Sequence, residues 1–151
     1  MKSNKLKLWV EGARLRTLPL AIAPVAIGAG AADSVQAFDL TLSLLALAVA
    51  LFLQIGVNYA NDYSDGIRGT DEYRVGPLRL TGSKSVKPEA VKLAAFGFFG
   101  LAAASGLAIV LITGMLWLIA VGLAAIVAAW FYTGGKSPYG CLLYTSDAAD
   151  E

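Results

Sequence analysis

The sequence predicts an all-α, multi-pass transmembrane helical bundle. Of its 151 residues, 57% are hydrophobic and 15% are charged, a balance typical of a membrane protein rather than a soluble globule. The charges are clustered, since no Asp, Glu, Lys or Arg occurs between Thr17 and Ala32 or between Leu93 and Thr133. Crossing about 30 Å of hydrocarbon takes roughly 20 apolar residues as helix. Four windows meet that requirement: 15–33, 40–60, 91–113 and 115–132.

The basic residues predict how these four spans are oriented. All twelve Lys and Arg residues lie before or at the start of the first window, around the loop between the second and third, or after the fourth. By the positive-inside rule, the N-terminus and the loops at 61–90 and 133–140 are cytoplasmic. The first window is not read as a secretory signal, because its charged approach is long and a second apolar span follows. We therefore expect a multi-pass protein of the cell membrane.

The last eleven residues, CLLYTSDAADE, differ in composition from everything before them. They resemble the translation of a transposase sequencing adapter, so residues 141–151 are interpreted as non-native and excluded from fold reasoning. Cys141 is the only cysteine and lies in this segment, so cysteine usage indicates no redox compartment. Residues 1–140 are then expected to be the N-terminal part of a longer membrane domain.

The second apolar window runs directly into the polar stretch NYANDYSDGIRGTD, residues 58–71. Asn58, Asn61, Asp62 and Asp65 are spaced i, i+3, i+4 and i+7, so a continuing helix would place them on one face. Carboxylates near a membrane are costly unless they are paired, hydrated or bound to a cation. The competing interpretation is an ordinary helix end and solvated turn. The spacing, with Asp71 following, favours a ligand site.

Closely spaced amide and carboxylate oxygens suit a hard cation such as Mg²⁺. Zinc fits poorly, because the chain has no His and no cysteine outside the excluded segment. The following loop supplies Arg74, Arg79, Lys84 and Lys87, which together with a metal would bind a diphosphate. The absence of a Walker loop argues against a nucleotide phosphate. The alternative role of these basic residues is to set topology and face anionic lipid.

Three separated stretches resemble the UbiA superfamily of intramembrane aromatic prenyltransferases. They are RLRTLPLAIAPVAIGAGAA, NYANDYSDGIRGTDEYRVGPLRLTGS and YTGGKSPYG, and the resemblance covers nearly all of residues 8–140. The branch it resembles most acts in menaquinone biosynthesis. The resemblance implies about nine transmembrane helices around a cavity. It also implies a second aspartate-rich motif in the later half, which this sequence does not contain.

The resemblance also implies a reaction and roles for individual residues. A polyprenyl group would pass from polyprenyl diphosphate to 1,4-dihydroxy-2-naphthoate, with loss of CO₂, giving demethylmenaquinol. Arg79 and Lys84 would neutralise the departing diphosphate, and Lys136 would orient the diphosphate or the naphthoate carboxylate. The ligands of Mg²⁺, the implied cofactor, would be Asn61, Asp62, Asp65 and Asp71, and Asn61 would also bind substrate.

Other functions stay open at this point. A prenyltransferase of the same superfamily with another aromatic acceptor fits the same motifs. A cation-coupled transporter would be expected to place its ionisable residues near the bilayer midplane, whereas these gather at one end of a span. A structural subunit would tolerate changes of Asp62, Asp65 and Asp71. The sequence shows no sign of nucleic-acid binding or of an obligatory protein partner.

Overall fold

The computed structural model describes residues 5–68, 80–81 and 85–133, and all the regular structure in these residues is helical. This confirms the predicted all-α class, which follows from the need to pair every backbone polar group within lipid. A short 3₁₀ turn spans Leu15–Thr17. The five α-helices are α1 Lys5–Gly12, α2 Pro19–Ser34, α3 Leu40–Arg68, α4 Pro88–Thr113 and α5 Trp117–Thr133. The segment 141–151, interpreted above as non-native, lies outside the described residues.

The N-terminal segment is bent where α1 and the 3₁₀ turn meet α2. The axes of Leu6–Thr17 and Pro19–Ser34 differ by 48°. Pro19 is the first residue of α2, where its missing N–H would have no intrahelical partner in any case. Arg14 has a φ of 52°, a left-handed conformation that is uncommon outside glycine. The chain therefore changes direction just before the first apolar window becomes regular helix.

The longest helix, α3, continues well past the apolar window that predicted it. Its 29 residues correspond to about 43 Å at 1.5 Å per residue. A hydrocarbon core of about 30 Å accommodates only part of that length. The helix keeps its geometry through Asp65 to Arg68, as the spacing of the polar residues predicted. Its polar C-terminal turns therefore extend beyond the apolar segment.

Packing in the bundle centres on α3 and α4, with α2 and α5 also against α3. On α4 the buried residues Val91, Ala95, Phe99 and Ala102 recur at helical spacing and form one face. Gly56 of α3 lies opposite this face, where a Cβ atom would stand 2.6 Å from Cε1 of Phe99 and 3.4 Å from the Ala95 carbonyl oxygen. A small residue at this point lets the two helices approach closely.

Gly56→Ala is expected to destabilise the bundle. Phe99 is only 3% exposed, so its ring has little room to give way to the added methyl group. Overpacking of this kind costs about 1–3 kcal/mol. Loss of helical circular dichroism on heating in detergent micelles measures the effect. Gly28→Ala is the control, because a Cβ there meets nothing within 4 Å. Equal midpoints for the two variants would contradict the packing argument.

The four predicted windows coincide with helices α2, α3, α4 and α5. Among the described residues, two helices are long and apolar enough to cross a membrane alone, Leu40–Ile67 and Pro88–Thr113. The bent N-terminal pair would make a third crossing if counted as one span, and Trp117–Tyr132 is a shorter apolar helix. The chain is thus a helical membrane protein. Four complete crossings remain a prediction.

Candidate functional site

The polar end of α3 presents two adjacent pairs of side chains rather than one uniform face. Asn58 is 4% exposed and Asp62 is 1% exposed, and one helical turn separates them. Asn61 and Asp65, also one turn apart, are half-buried. The predicted sharing of one side of the helix is therefore found. The structure adds that one pair points into the protein while the other is partly accessible.

Asn58 and its neighbours hold the bent N-terminal segment against α3. The Asn58 side-chain amide donates to the Ala13 carbonyl oxygen at 2.8 Å and to the Thr17 hydroxyl at 3.1 Å. The Tyr59 hydroxyl donates to the Trp9 carbonyl oxygen at 2.8 Å. The Trp9 carbonyl oxygen lies in the last turn of α1 and also accepts the Ala13 N–H at 3.0 Å, and the Ala13 carbonyl follows directly after that helix. These contacts show that Asn58 has a structural role, which is to hold the N-terminal segment against α3.

Asp62 binds backbone that is distant in sequence. Its Oδ2 accepts a hydrogen bond from the Leu80 N–H at 2.8 Å, and its Oδ1 accepts one from the Thr81 N–H at 3.0 Å. A buried carboxylate is costly unless it is hydrogen-bonded, and two amide donors supply that compensation. Both carboxylate oxygens of Asp62 therefore serve to hold Leu80 and Thr81. The metal-ligand role predicted for Asp62 stays a prediction.

Leu80 is also held through its side chain. It is completely buried and belongs to a core cluster with Leu8, Ala13 and Tyr59. At Gly12, the last residue of α1, a Cβ atom would lie 2.6 Å from Cδ1 of Leu80. A side chain at the end of α1 would therefore displace Leu80 from its present position. Leu80 thus fills the space between α1 and α3.

Thr81, next to Leu80, carries a buried hydroxyl. The residue is 6% exposed, and its Oγ1 has no hydrogen-bond partner within the part of the chain that the structure describes. An unsatisfied buried polar group costs about 1–3 kcal/mol. Such groups in native proteins call for an explanation, and a bound ligand is one.

Five of the predicted site residues lie outside the described residues: Asp71, Arg74, Arg79, Lys84 and Lys136. Of the predicted magnesium ligands, the structure places Asn61, Asp62 and Asp65 together on the last turns of α3. Residues 5–68, 80–81 and 85–133 contain no group of three His, Cys, Asp or Glu residues that could hold a metal. The donors present are oxygen atoms, the type that Mg²⁺ prefers. These oxygen donors therefore suit Mg²⁺. The fourth predicted ligand, Asp71, lies outside the described residues.

An aromatic group beside this end of α3 was not anticipated from the sequence. The rings of Tyr63 and Trp130 stack 6.3 Å apart, and those of Phe96 and Trp130 are 4.8 Å apart. The Lys92 ammonium lies 5.6 Å from the centre of the Tyr63 ring. In the sequence, Lys92 indicated only orientation, as one of the basic residues around the loop between the second and third windows. The feature of the sequence that could have indicated this aromatic group is the position of Tyr63 between two predicted metal ligands, Asp62 and Asp65.

Comparison with known proteins gives close relatives. The chain is 58% identical over 132 residues to a 1,4-dihydroxy-2-naphthoate octaprenyltransferase of Mycobacterium tuberculosis, covering 87% of this chain and 45% of that protein. A Mycobacterium leprae protein of the same name is 52% identical over the same shares of each chain. One from Haemophilus influenzae is 36% identical over 93% of this chain and 48% of its own length.

The chain spans about half the length of the curated relatives it matches. No family model and no solved structure matches it. A match of 132 residues in a chain of 151 necessarily includes the polar end of α3. Relatives of this similarity that share one name establish kinship, as the three sequence stretches predicted. The chain belongs to the UbiA prenyltransferase family, together with the 1,4-dihydroxy-2-naphthoate octaprenyltransferases.

Proposed function

We propose that this chain supplies the first half of an enzyme that prenylates 1,4-dihydroxy-2-naphthoate. The donor is a polyprenyl diphosphate, and the product is demethylmenaquinol for menaquinone biosynthesis. The observation that supports this most is the 58% identity to an enzyme of that name across the region containing Asn61, Asp62 and Asp65. A different aromatic acceptor, or a transporter, has no observation in its favour.

The reaction requires charge compensation at one end of the donor. The naphthoate ring carbon that bears the carboxylate attacks the allylic carbon, the C–O bond to diphosphate breaks, and CO₂ departs, returning its electron pair to the ring. Bound Mg²⁺ would supply positive charge to the leaving diphosphate. Asn61 and Asp65 of α3, with Asp71, are the side chains proposed to hold it. Arg79 and Lys84 are proposed to neutralise the diphosphate, and Lys136 to orient a substrate anion.

The location of these groups suits a lipid donor. Removing a polyprenyl tail from the bilayer costs about 0.8 kcal/mol per CH₂ group. The tail therefore stays among apolar helices while the diphosphate reaches polar groups at a helix end. In this structure the apolar part of α3 leads directly into Asn61 and Asp65, which provides that transition within one helix.

The test uses a complete enzyme, made by joining residues 1–140 in frame to the C-terminal half of the Mycobacterium tuberculosis relative and called the joined enzyme below. It is expressed in a strain lacking its own naphthoate prenyltransferase, and demethylmenaquinone is measured in lipid extracts. We expect quinone with the joined enzyme and none with the C-terminal half alone. Joined enzyme that reaches the membrane in normal amount but yields no quinone, or prenylates another aromatic acid instead, contradicts the proposal.

We further propose that the polar end of α3 faces the cytoplasm, on the strength of the Lys and Arg distribution. In the joined enzyme with Cys141 absent and any cysteines of the relative replaced, a single cysteine at Ser34 is expected to react with an impermeant maleimide added to intact cells. A single cysteine at Ser83 is expected to react only after the cells are opened. Labelling of both positions from the same side would overturn this orientation.

A further inference from the structure

Leu80 and Thr81 are attached to the rest of the protein at several independent points. Their two amides donate to the carboxylate of Asp62. The Leu80 carbonyl oxygen accepts a hydrogen bond from the Val86 N–H at 3.2 Å, just before α4 begins. The Leu80 side chain is buried against Gly12 and Tyr59. This pair of residues is therefore held in a fixed place beside α3.

Asp62 is the one charged group among these attachments. It is 1% exposed, and each of its oxygens accepts a separate backbone amide. Charge-assisted hydrogen bonds of this kind are roughly twice as strong as those between neutral groups, and two of them fix both position and orientation. An asparagine could accept only one of the two and would turn its own NH₂ group toward the other N–H. Asp62 is thus suited to hold backbone.

By binding the Thr81 amide, Asp62 also fixes the position of the Thr81 hydroxyl. Its Oγ1 is buried and lacks a hydrogen-bond partner among the described residues. Hydroxyl groups donate one hydrogen bond and accept others, so a phosphate oxygen is a suitable partner. The hydroxyl belongs to a residue whose amide is anchored to Asp62, which directly follows Asn61 and precedes Asp65 by three residues on α3.

We propose that Asp62 is a positioning residue that fixes Leu80 and Thr81, and that the Thr81 hydroxyl thereby donates a hydrogen bond to a phosphate oxygen of the diphosphate substrate. The identity of that substrate rests on the proposed function, whereas the positioning by Asp62 does not. Asp62 then acts through the backbone of Thr81, and Thr81 is the group that touches substrate. Asp65 and Asn61 remain the side chains assigned to the metal.

The positioning role is tested by amide hydrogen exchange of the joined enzyme, a measurement that requires no activity. We expect Asp62→Asn to accelerate exchange at Leu80 and Thr81 by at least about tenfold, equivalent to ~1.4 kcal/mol of lost protection. Asp39→Ala is the matched control, because Asp39 accepts the Leu42 N–H at 2.8 Å at the opposite end of the same helix. It should accelerate exchange at Leu42 alone. Unchanged exchange at Leu80 and Thr81 in Asp62→Asn would overturn the positioning role.

The substrate contact is tested by steady-state kinetics of the joined enzyme. Thr81→Val removes the hydroxyl while keeping the shape, and we expect it to raise KM for the polyprenyl diphosphate at least about fivefold, leaving KM for the naphthoate unchanged. Thr81→Ser should restore the wild-type value. Asp62→Asn should raise the same KM without changing the Mg²⁺ concentration that gives half-maximal rate. A wild-type donor KM in Thr81→Val overturns the hydroxyl contact, and a raised Mg²⁺ requirement in Asp62→Asn overturns positioning in favour of metal binding.

Discussion

Asp65→Asn in the joined enzyme is expected to reduce prenyl transfer by about a hundredfold and to raise the Mg²⁺ concentration needed for half-maximal rate. Asp65 is half-buried on the last turns of α3, one turn from Asn61, and its carboxylate is a proposed metal ligand. Asparagine keeps the shape but removes the negative charge that attracts a hard cation. A loss of that size corresponds to ~2.7 kcal/mol of barrier, ordinary for one group of a preorganised electrostatic site.

The measurement is initial rate against Mg²⁺ concentration in membranes containing equal amounts of each enzyme. Asp33→Asn serves as the control, because Asp33 is exposed near the end of α2 and has no assigned role. It should behave as wild type. Retention of more than about a tenth of the rate by Asp65→Asn, a change below 1.4 kcal/mol, would remove Asp65 from the metal site.

Residues 1–140 expressed alone are expected to yield no measurable demethylmenaquinone. The chain spans about half the length of its relatives, and the family resemblance implies a second aspartate-rich motif in the other half. Removing half of an electrostatic site costs several kcal/mol of transition-state stabilisation, on the order of a thousandfold in rate. Large apolar side chains of the described helices are also extensively exposed, among them Leu20, Leu93 and Leu111. Those surfaces are available to further helices as well as to lipid.

The experiment compares residues 1–140 with the joined enzyme in the same quinone-deficient strain, with both proteins quantified in isolated membranes. Quinone from the joined enzyme alone is the expected outcome. Quinone restored by residues 1–140 would show that one carboxylate cluster is sufficient. The mechanism with two clusters would then be wrong.

The helices could be predicted because membrane insertion leaves few alternatives. A long apolar segment that must satisfy its own backbone groups forms a helix, so the windows beginning at 15, 40, 91 and 115 were all found. The continuation of α3 through Asp65 followed from helical spacing of polar residues, which needs no knowledge of tertiary structure. Whether each helix is long enough to cross the membrane was harder to predict. Helix α5 has 17 residues, which is short for a complete crossing.

The tertiary contacts of the site could not be predicted from local sequence patterns. Asp62 and Leu80 are 18 residues apart, and no local pattern indicates that a carboxylate will bind backbone so far along the chain. No sequence pattern marks Gly12 either, and only the packing shows that a Cβ atom there would lie 2.6 Å from Cδ1 of Leu80. Asn58 and Asp62 were grouped with Asn61 and Asp65 because spacing gives the side of a helix. It does not tell which neighbour covers that side.

The length of α3 bears on whether the proposed lipid donor reaches the site from the bilayer or from water. Its 29 residues exceed the thickness of the hydrocarbon core, so its polar turns reach the interfacial layer while its apolar turns remain among acyl chains. A donor served by this helix would arrive by lateral diffusion within the leaflet and never pass through bulk water. Its effective concentration is then a mole fraction of lipid. Diluting the donor with inert phospholipid should slow the reaction, whereas adding buffer at constant lipid composition should not.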